Sequence, residues 1–365
     1  VVEQKSGEFA MHPDVCIILH GSEATDLGGP SVRAPRTVEE LTKAGITARS
    51  LAFPEQALNL PQRIVHIMNI WPHVSCLQAL RFFRRLGIRT VLSPILLDHS
   101  SQHVWEASDE APASRPATGG QGPYDLSLIA RIFKEADHLV FLSQEEKALA
   151  GRMGLPERPH TLIRNPVDSA KFQPGPGDAF RQFLSQHASR AIDGEFVLSV
   201  GRLEPRKNQL TLIKALAKTD VTLVIVGHES HAAYAARCHA AASPNVIFTG
   251  RLPHEDSLLS AAYREASLYV HPSWSEGASI ATLEAASSGC RLLLSDLPAA
   301  REYFGSLACY VPPDDGKALR RAILGMLEKG DTEDEAATRR QHVLDSYSYK
   351  AHVQHLSVLY RSLFA

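Results

Sequence analysis

Short runs of β-branched and aliphatic residues alternate along the chain with segments whose apolar positions recur every three to four residues. The first half carries VCIILH (15–20), RIVHIM (63–68), RTVLS (89–93) and HLVFLS (138–143). The second half restarts the series with EFVLSV (195–200), VTLVIV (221–226), NVIFTG (245–250), SLYVHP (267–272) and CRLLLS (290–295). Runs so uniformly apolar predict strands buried on both faces, and strands separated by helical patterns predict parallel sheets covered by helices. Between the two series lies NPVDSAKFQPGPGD (165–178), dense in Pro, Gly and Asp, which reads as a linker. The expectation is an α/β chain of two doubly wound domains, 1–175 and 190–345. A final helical segment, about 333 to 364, carries Tyr347, Tyr349, Leu356, Leu359, Tyr360 and Leu363, and residues 346–365 are expected to pack back onto the first domain.

One segment breaks the rhythm. Residues 98–125 have no clear period, and a structureless stretch of that length in a compact domain is usually functional or disordered. Composition narrows the classes. The chain of 365 residues is 44% hydrophobic and 21% charged, enough for two full cores, and its net charge of -2 argues against a nucleic-acid partner. Five scattered cysteines with no C-x-x-C pair suggest neither a disulfide framework nor a zinc ribbon, and fit a reducing, cytoplasmic compartment. No apolar run approaches a membrane span, and the first residues, VVEQKSGEFAMHPD, lack a signal pattern.

Ligands of open parallel sheets bind beyond the carboxyl ends of the strands, so the loops there carry the candidate chemistry. After EFVLSV, Arg202 and Lys207 precede a helix expected to begin near Asn208; cations at a helix amino terminus form an anion site, although a solvated basic turn would read the same. After SLYVHP, the stretch SEGASIATLEAASSGC places Glu276 on a loop. Gly277 and Ala278 then turn, Ser279 caps, and Ile280 to Ser288 run helically to a stop at Gly289. Glu284 is the lone charge on that helix, roughly 7.5 Å inside it. A carboxylate in apolar surroundings needs a partner. A sugar diol would serve, and so would a buried ion pair with Arg251 or Arg301.

In the first half, Gly28 and Gly29 precede a helix near Ser31 to Lys43; paired glycines permit close backbone approach but are a weak signal alone. The helix LQALRFFRRLGIRT sets Arg81, Arg84, Arg85 and Arg89 beside Phe82 and Phe83. It reads as a surface helix with its aromatics in the core, or as a basic face for peripheral contact with anionic lipid. The pairs His228/His231 and His352/His355 lack further metal ligands and read as surface histidines; no metal site, Walker loop or nucleophile elbow is present.

Taken together, these motifs resemble the retaining glycosyltransferases of family 4, which have the GT-B fold of two Rossmann-like domains facing across a cleft. The resemblance rests on the Gly28-Gly29 loop, IRNPVDSAKFQP, SVGRLEPRKNQLTLIKAL, VIFTGRLPHEDSLLSAAYREASLYVHPS and the two glutamates Glu276 and Glu284. The closing CRLLLSDLPAAREYFGSLACYVPPDD is similar to a branch that builds bacterial surface polysaccharides, including lipopolysaccharide. The resemblance implies a nucleoside-diphosphate sugar as donor and a glycan or lipid-linked glycan as acceptor, with no cofactor and no metal. It assigns Arg202 and Lys207 to the diphosphate, Glu276 to the donor sugar and Glu284 to the ribose. The backbone of Gly277, Ala278, Ser279 and Ile280 would hold sugar or phosphate, and the base would rest near Arg251 and Leu252. The implied place of work is the cytoplasm, with the inner face of the membrane as an option.

The chain departs from the family pattern in three places. Ala278, Ser279, Ile280 and Ala281 stand where it reads F-G-L-P, the Pro-Asn-Gly-Val-Asp segment becomes Asn165-Pro166-Val167-Asp168, and Ile95 stands where many relatives have a histidine. His99 or His103 could substitute on the acceptor side. These departures favour one rival expectation, an inactive GT-B partner subunit that binds nucleotide or glycan; a second rival, a GT-B nucleotide-sugar epimerase, would need acid and base residues around the sugar.

Overall fold

The computed structural model describes residues 14–19, 29–58, 60, 62–100 and 125–364. Gly28, His103 and residues 101–124 of the long loop lie outside the described residues.

Among the described residues, twelve strands form two six-stranded sheets in which every pairing is parallel. The first holds β1 (Val15–Ile18), β2 (Ala48–Leu51), β3 (Ile64–Met68), β4 (Arg89–Ser93), β5 (His138–Phe141) and β6 (His160–Leu162) in the order β2-β1-β3-β4-β5-β6. The second holds β7 (Phe196–Val200), β8 (Thr222–Val226), β9 (Val246–Gly250), β10 (Leu268–His271), β11 (Leu292–Ser295) and β12 (Cys309–Val311) in the order β12-β11-β10-β7-β8-β9. In a doubly wound sheet the order reverses at one place, and there the loops part to leave a crevice. That place is between β1 and β3 in the first sheet and between β7 and β10 in the second.

The nine apolar runs are all strands. Three strands escaped the sequence reading, β2, β6 and β12, and each is an edge strand of three or four residues, mostly half-exposed. An edge strand has one neighbour and is not covered on both faces, so it needs no unbroken apolar run.

Helix Gly29–Lys43 begins two residues earlier than the pattern suggested. The chain between β6 and helix Ala179–His187 has no regular element, as the linker composition implied. Its Val167 N–H donates to the Tyr347 carbonyl at 2.8 Å, beside the joint between the last two helices. Those helices divide their allegiance. Glu333–Tyr347 packs on helix Ile280–Ser287, whereas Tyr349–Phe364 packs on helix Gly29–Lys43 and β3. Leu356, Leu359 and Tyr360 are therefore buried with the first sheet. Tyr347 is not: it lies in the core of the second domain, stacked on Tyr303 with ring centroids 4.9 Å apart.

Two surface expectations also change. On helix His73–Arg85 only Phe83 of the aromatic pair is in the core, while Phe82 is 37% exposed; Arg81 and Arg84 both pair with Glu135. His352 is a buried histidine bonded to the Arg164 carbonyl at 2.9 Å, and burial lowers its pKa to about 3. Among the described residues no helix is long and apolar enough to cross a membrane.

Candidate functional site

At the reversal point of the second sheet, the loops after β7 and β10 meet. The β7 loop passes Gly201 and Arg202, makes a tight turn over Pro205–Lys207, and reaches Asn208 in the left-handed conformation at φ 58°. Asparagine tolerates that conformation when its side chain is tied locally. Here its amide donates to the carbonyls of Pro272 and Pro313 at 2.9 and 2.8 Å, and its oxygen accepts from Thr211 at 2.7 Å. The break at Asn208 separates Lys207 from helix Gln209–Leu216. The β10 loop is laced to the same turn: Trp274 N–H donates to the Arg206 carbonyl at 2.9 Å, and the Arg206 guanidinium donates to the Ser275 carbonyl at 2.8 Å.

Glu276 is the hub. Its Oε2 lies 2.5 Å from Lys207 Nζ, 3.1 Å from His271 Nε2 and 3.2 Å from Arg206 Nη1. Glu204 extends the array, 2.6 Å from Arg206 and 3.2 Å from Arg202. Burial would raise the Glu276 carboxyl, but Lys207 and Arg206 outweigh it and hold the group well below the ordinary carboxylate range. Burial lowers Lys207 and His271, with neighbouring cations adding to the effect. A neutral His271 that donates from Nε2–H to Glu276 and accepts at Nδ1 from Tyr269, 3.0 Å away, satisfies both bonds.

Helix Ile280–Ser287 forms as its sequence predicts. Ser279 caps it by accepting from Thr282 N–H, and Gly289 at φ 82° ends it in a left-handed turn closed by Gly289 N–H to Ala286 and Cys290 N–H to Ala285. Glu284 is buried on this helix, and neither arginine of the ion-pair alternative is its partner. His254 Nε2 lies 2.9 Å from one oxygen and the Tyr263 hydroxyl donates to the other at 2.8 Å. Arg301 instead pairs with Asp296, and Arg251 is exposed. Histidine and tyrosine sit at the ends of short, stiff side chains that reach a buried carboxylate with little loss of rotamer freedom. Tyr263 was invisible as a partner because, by sequence, it is one more aromatic on an apolar helix.

The first domain faces this array closely. A Cβ placed on Gly29 would lie 3.3 Å from the Ile280 side chain, and one placed on Gly277 would lie 3.6 Å from Leu97. Buried Arg33 bonds Asn165, whose amide donates to the Ala278 carbonyl at 2.8 Å, so the linker touches both walls. Ile95 stands at φ 54°, a conformation that costs a β-branched residue about 1–3 kcal/mol. Buried Glu146 fixes the neighbouring backbone by accepting from Leu96 N–H at 2.8 Å and Leu142 N–H at 2.6 Å. Its own carboxyl is pushed up by burial to about 7.

Between the walls lies a cavity of about 720 Å³. It brings together Gly29, Arg202, Lys207, Arg251, Leu252, Glu276, Gly277, Ala278, Ser279, Ile280, Glu284 and His99; Gly28 and His103, the other candidates, are outside the described residues. Sequence reasoning missed Arg206 and His271 at the hub. Arg206 was legible as the middle of a basic triplet, whereas His271 reads as one position of an apolar strand. The glycines at the ends of β7 and β8 form part of the floor: a Cβ on Gly227 would fall 1.9 Å from the Gly201 carbonyl oxygen. Among the described residues no group of three His, Cys, Asp or Glu is placed to hold a metal ion.

Comparison with known proteins bears on this site. Residues 194–329 match the family described as Glycosyl transferases group 1. The lipopolysaccharide core biosynthesis mannosyltransferase LpcC of Rhizobium leguminosarum bv. viciae is 30% identical over 182 residues, 46% of this chain and 49% of that one. A GDP-mannose-dependent alpha-mannosyltransferase of Corynebacterium glutamicum is 35% identical over 124 residues, 34% of this chain and 28% of that one. The D-rhamnosyltransferase WbpZ of Pseudomonas aeruginosa is 29% identical over 154 residues, 41% of this chain and 40% of that one. The chain thus spans half or less of the length of these curated relatives. Among solved structures, sucrose-phosphate synthase from Thermosynechococcus elongatus superposes with a TM-score of 0.74 at 19% identity, covering 96% of this chain and 99% of that one. Anabaena HepE in complex with UDP gives a TM-score of 0.70 at 14% identity, covering 96% and 100%. At these identities the likeness is one of fold, and the fold is GT-B.

Proposed function

We propose, from the premise that residues 194–329 form a glycosyl transferases group 1 domain within a GT-B fold, that this chain is a retaining glycosyltransferase. It moves a hexose or 6-deoxyhexose from a nucleoside diphosphate to a glycan or lipid-linked glycan. The mannosyl and rhamnosyl relatives favour a sugar of the manno series, and the one named for GDP-mannose favours a guanine donor. The observation that carries the reading is the convergence of Lys207, Arg206 and Glu276 beside the capped start of helix Ile280–Ser287, inside one cavity.

The chemistry follows from charge. As the bond from sugar C1 to phosphate oxygen breaks, negative charge grows on the diphosphate. Arg202, Arg206, Lys207 and the helix amino terminus are a fixed positive surround that stabilises it. The acceptor oxygen bonds C1 on the face the phosphate leaves, and its proton passes to the departing phosphate oxygen. Neither a protein base nor a metal ion is needed in this scheme, so Ile95 in place of a histidine does not obstruct it. Glu276 receives sugar hydroxyls, and Glu284 receives ribose hydroxyls while His254 and Tyr263 hold it in place. Work at the inner face of the membrane, through the exposed residues of helix His73–Arg85, belongs to the same reading.

The test is a thermal-shift series with GDP, UDP, dTDP, ADP and CMP, each with and without EDTA. A nucleotide that binds only the folded chain raises the midpoint by mass action. A shift with GDP that survives EDTA is expected. A chain that responds to none of the five would remove the transferase reading in favour of an inactive partner subunit.

A further inference from the structure

The two walls of the cavity differ in charge. The second domain contributes Arg202, Arg206, Lys207, Arg251, Glu276 and Glu284, whereas the first contributes Asn69, Ile70, Trp71, His73, Ile95 and Leu97 at the ends of β3 and β4. Burial lowers His73, which favours its neutral form, and Arg33 on the same side is buried against Asn165 and Met68. Such a wall suits a neutral ligand with an apolar face and polar edges.

Trp71 stands out on it. The residue is 61% exposed although it lines the cavity, and it follows β3 at the reversal point of the first sheet, where a doubly wound sheet leaves room for a ligand. Its position is fixed from below. Asn69 N–H donates to Ser93 at 2.8 Å and Ile70 N–H to Pro94 at 3.2 Å, which ties the loop to β4, and Trp71 N–H donates to the Asn69 side chain at 3.1 Å. His73 buttresses the indole edge-on at 5.1 Å. A large aromatic held still and left bare offers contact area at little entropic cost.

We propose that Trp71 is the stacking platform for a neutral pyranose of the acceptor, with the Asn69 amide at its rim and buried His73 behind the indole. The inference rests on the transferase reading and deepens it: the acceptor presents a sugar ring, not a phosphate, to the first domain. The C–H face of a pyranose lies on the indole while its hydroxyls reach the rim, and the ring is delivered opposite Glu276.

The chain has three tryptophans, so a spectrum of the ¹⁵N-labelled protein holds three indole N–H signals, and Trp71→Phe assigns the one concerned. The probes are α-mannobiose, maltobiose and chitobiose at millimolar concentration, with and without GDP, and vesicles of phosphatidylglycerol. A saturable shift of the Trp71 signal with a disaccharide is expected, and the affinity, read by calorimetry because both variants lack that signal, falls tenfold or more in Trp71→Ala and is partly retained in Trp71→Phe. If GDP binds and no disaccharide moves the Trp71 signal, the platform is wrong while the transferase reading stands. A response to vesicles alone would overturn it in favour of a lipid-facing residue. A response to disaccharide in a chain that ignores every nucleotide would keep the platform and remove the transferase.

Discussion

Lys207 and Glu276, 69 residues apart in sequence, stand 2.5 Å apart at the mouth of the second sheet. Arg206 and His271 reach the same Glu276 oxygen, at 3.2 and 3.1 Å. Under the proposed function, a diphosphate would meet cations already held in place, and a sugar would meet a carboxylate that Lys207 and Arg206 hold ionised.

Glu276→Gln keeps the shape and removes the charge. Transfer should fall at least about 100-fold, the scale for losing one preorganised polar group at a reacting centre, while nucleotide affinity changes little. Steady-state rates with the nucleotide sugar, beside the thermal shift with the free nucleotide, separate the two. Full turnover in the variant would end the proposed role.

Lys207→Ala should weaken nucleotide binding about tenfold, roughly 1.4 kcal/mol, and also alter acid stability. Glu276 titrates below its ordinary value of 4.5 in the folded chain. Its contribution is therefore fully present above that value and lost as pH falls through the depressed one. The variant should be less stable than the parent at neutral pH, with the gap closing below pH 4.5. Denaturant midpoints across that range measure it.

Glu146 has the opposite sign. Its carboxyl titrates at about 7 when folded and 4.5 when free, so between those values the folded chain holds the extra proton and stability falls as pH rises. Glu146→Gln removes the titration. Its stability relative to the parent should climb from pH 4.5 to 7 and then level off, by on the order of 3 kcal/mol at one pKa unit per 1.36 kcal/mol. A parallel pair of curves would show that the group does not titrate there.

Glycine substitutions should divide by what they meet. Gly227→Ala drives a methyl into the Gly201 backbone and should cost at least about 3 kcal/mol, read as a lowered melting temperature. Gly29→Ala meets, among the described residues, the end of the Ile280 side chain, which can turn aside, and should cost less than about 1 kcal/mol.

Glu284→Gln tests the ribose assignment apart from catalysis. A weaker acceptor should raise the nucleotide dissociation constant about tenfold, at 1.4 kcal/mol per decade. Tyr263→Phe, which leaves Glu284 charged and removes one donor, should instead lower stability by about 1–3 kcal/mol. Calorimetric titration with GDP and a melting curve on both variants distinguish recognition from support.

Much of this was legible in the chain itself. Nine strands announced themselves as apolar runs: eight are largely buried, since a strand covered on both faces must be apolar throughout, and the ninth, β9, is a sheet edge that carries such a run all the same. The cap at Ser279 and the stop at Gly289 were readable because they act within a few residues. Glu276, Glu284, Arg202 and Lys207 could be singled out because charges beside apolar runs need a reason. What the sequence left open was pairing. Edge strands β2, β6 and β12 carry no apolar run. The protein partners of Glu284 proved to be His254 and Tyr263, where the residue types had left a ligand diol or an arginine open. Tyr347 and Tyr349, two positions apart, belong to helices that pack on opposite domains. Local sequence determines which segments form elements, since those forces act over one or two turns. Which loops meet across a sheet, and which acid finds which base, only the tertiary structure decides, because those contacts join residues tens of positions apart whose nearness no local pattern encodes.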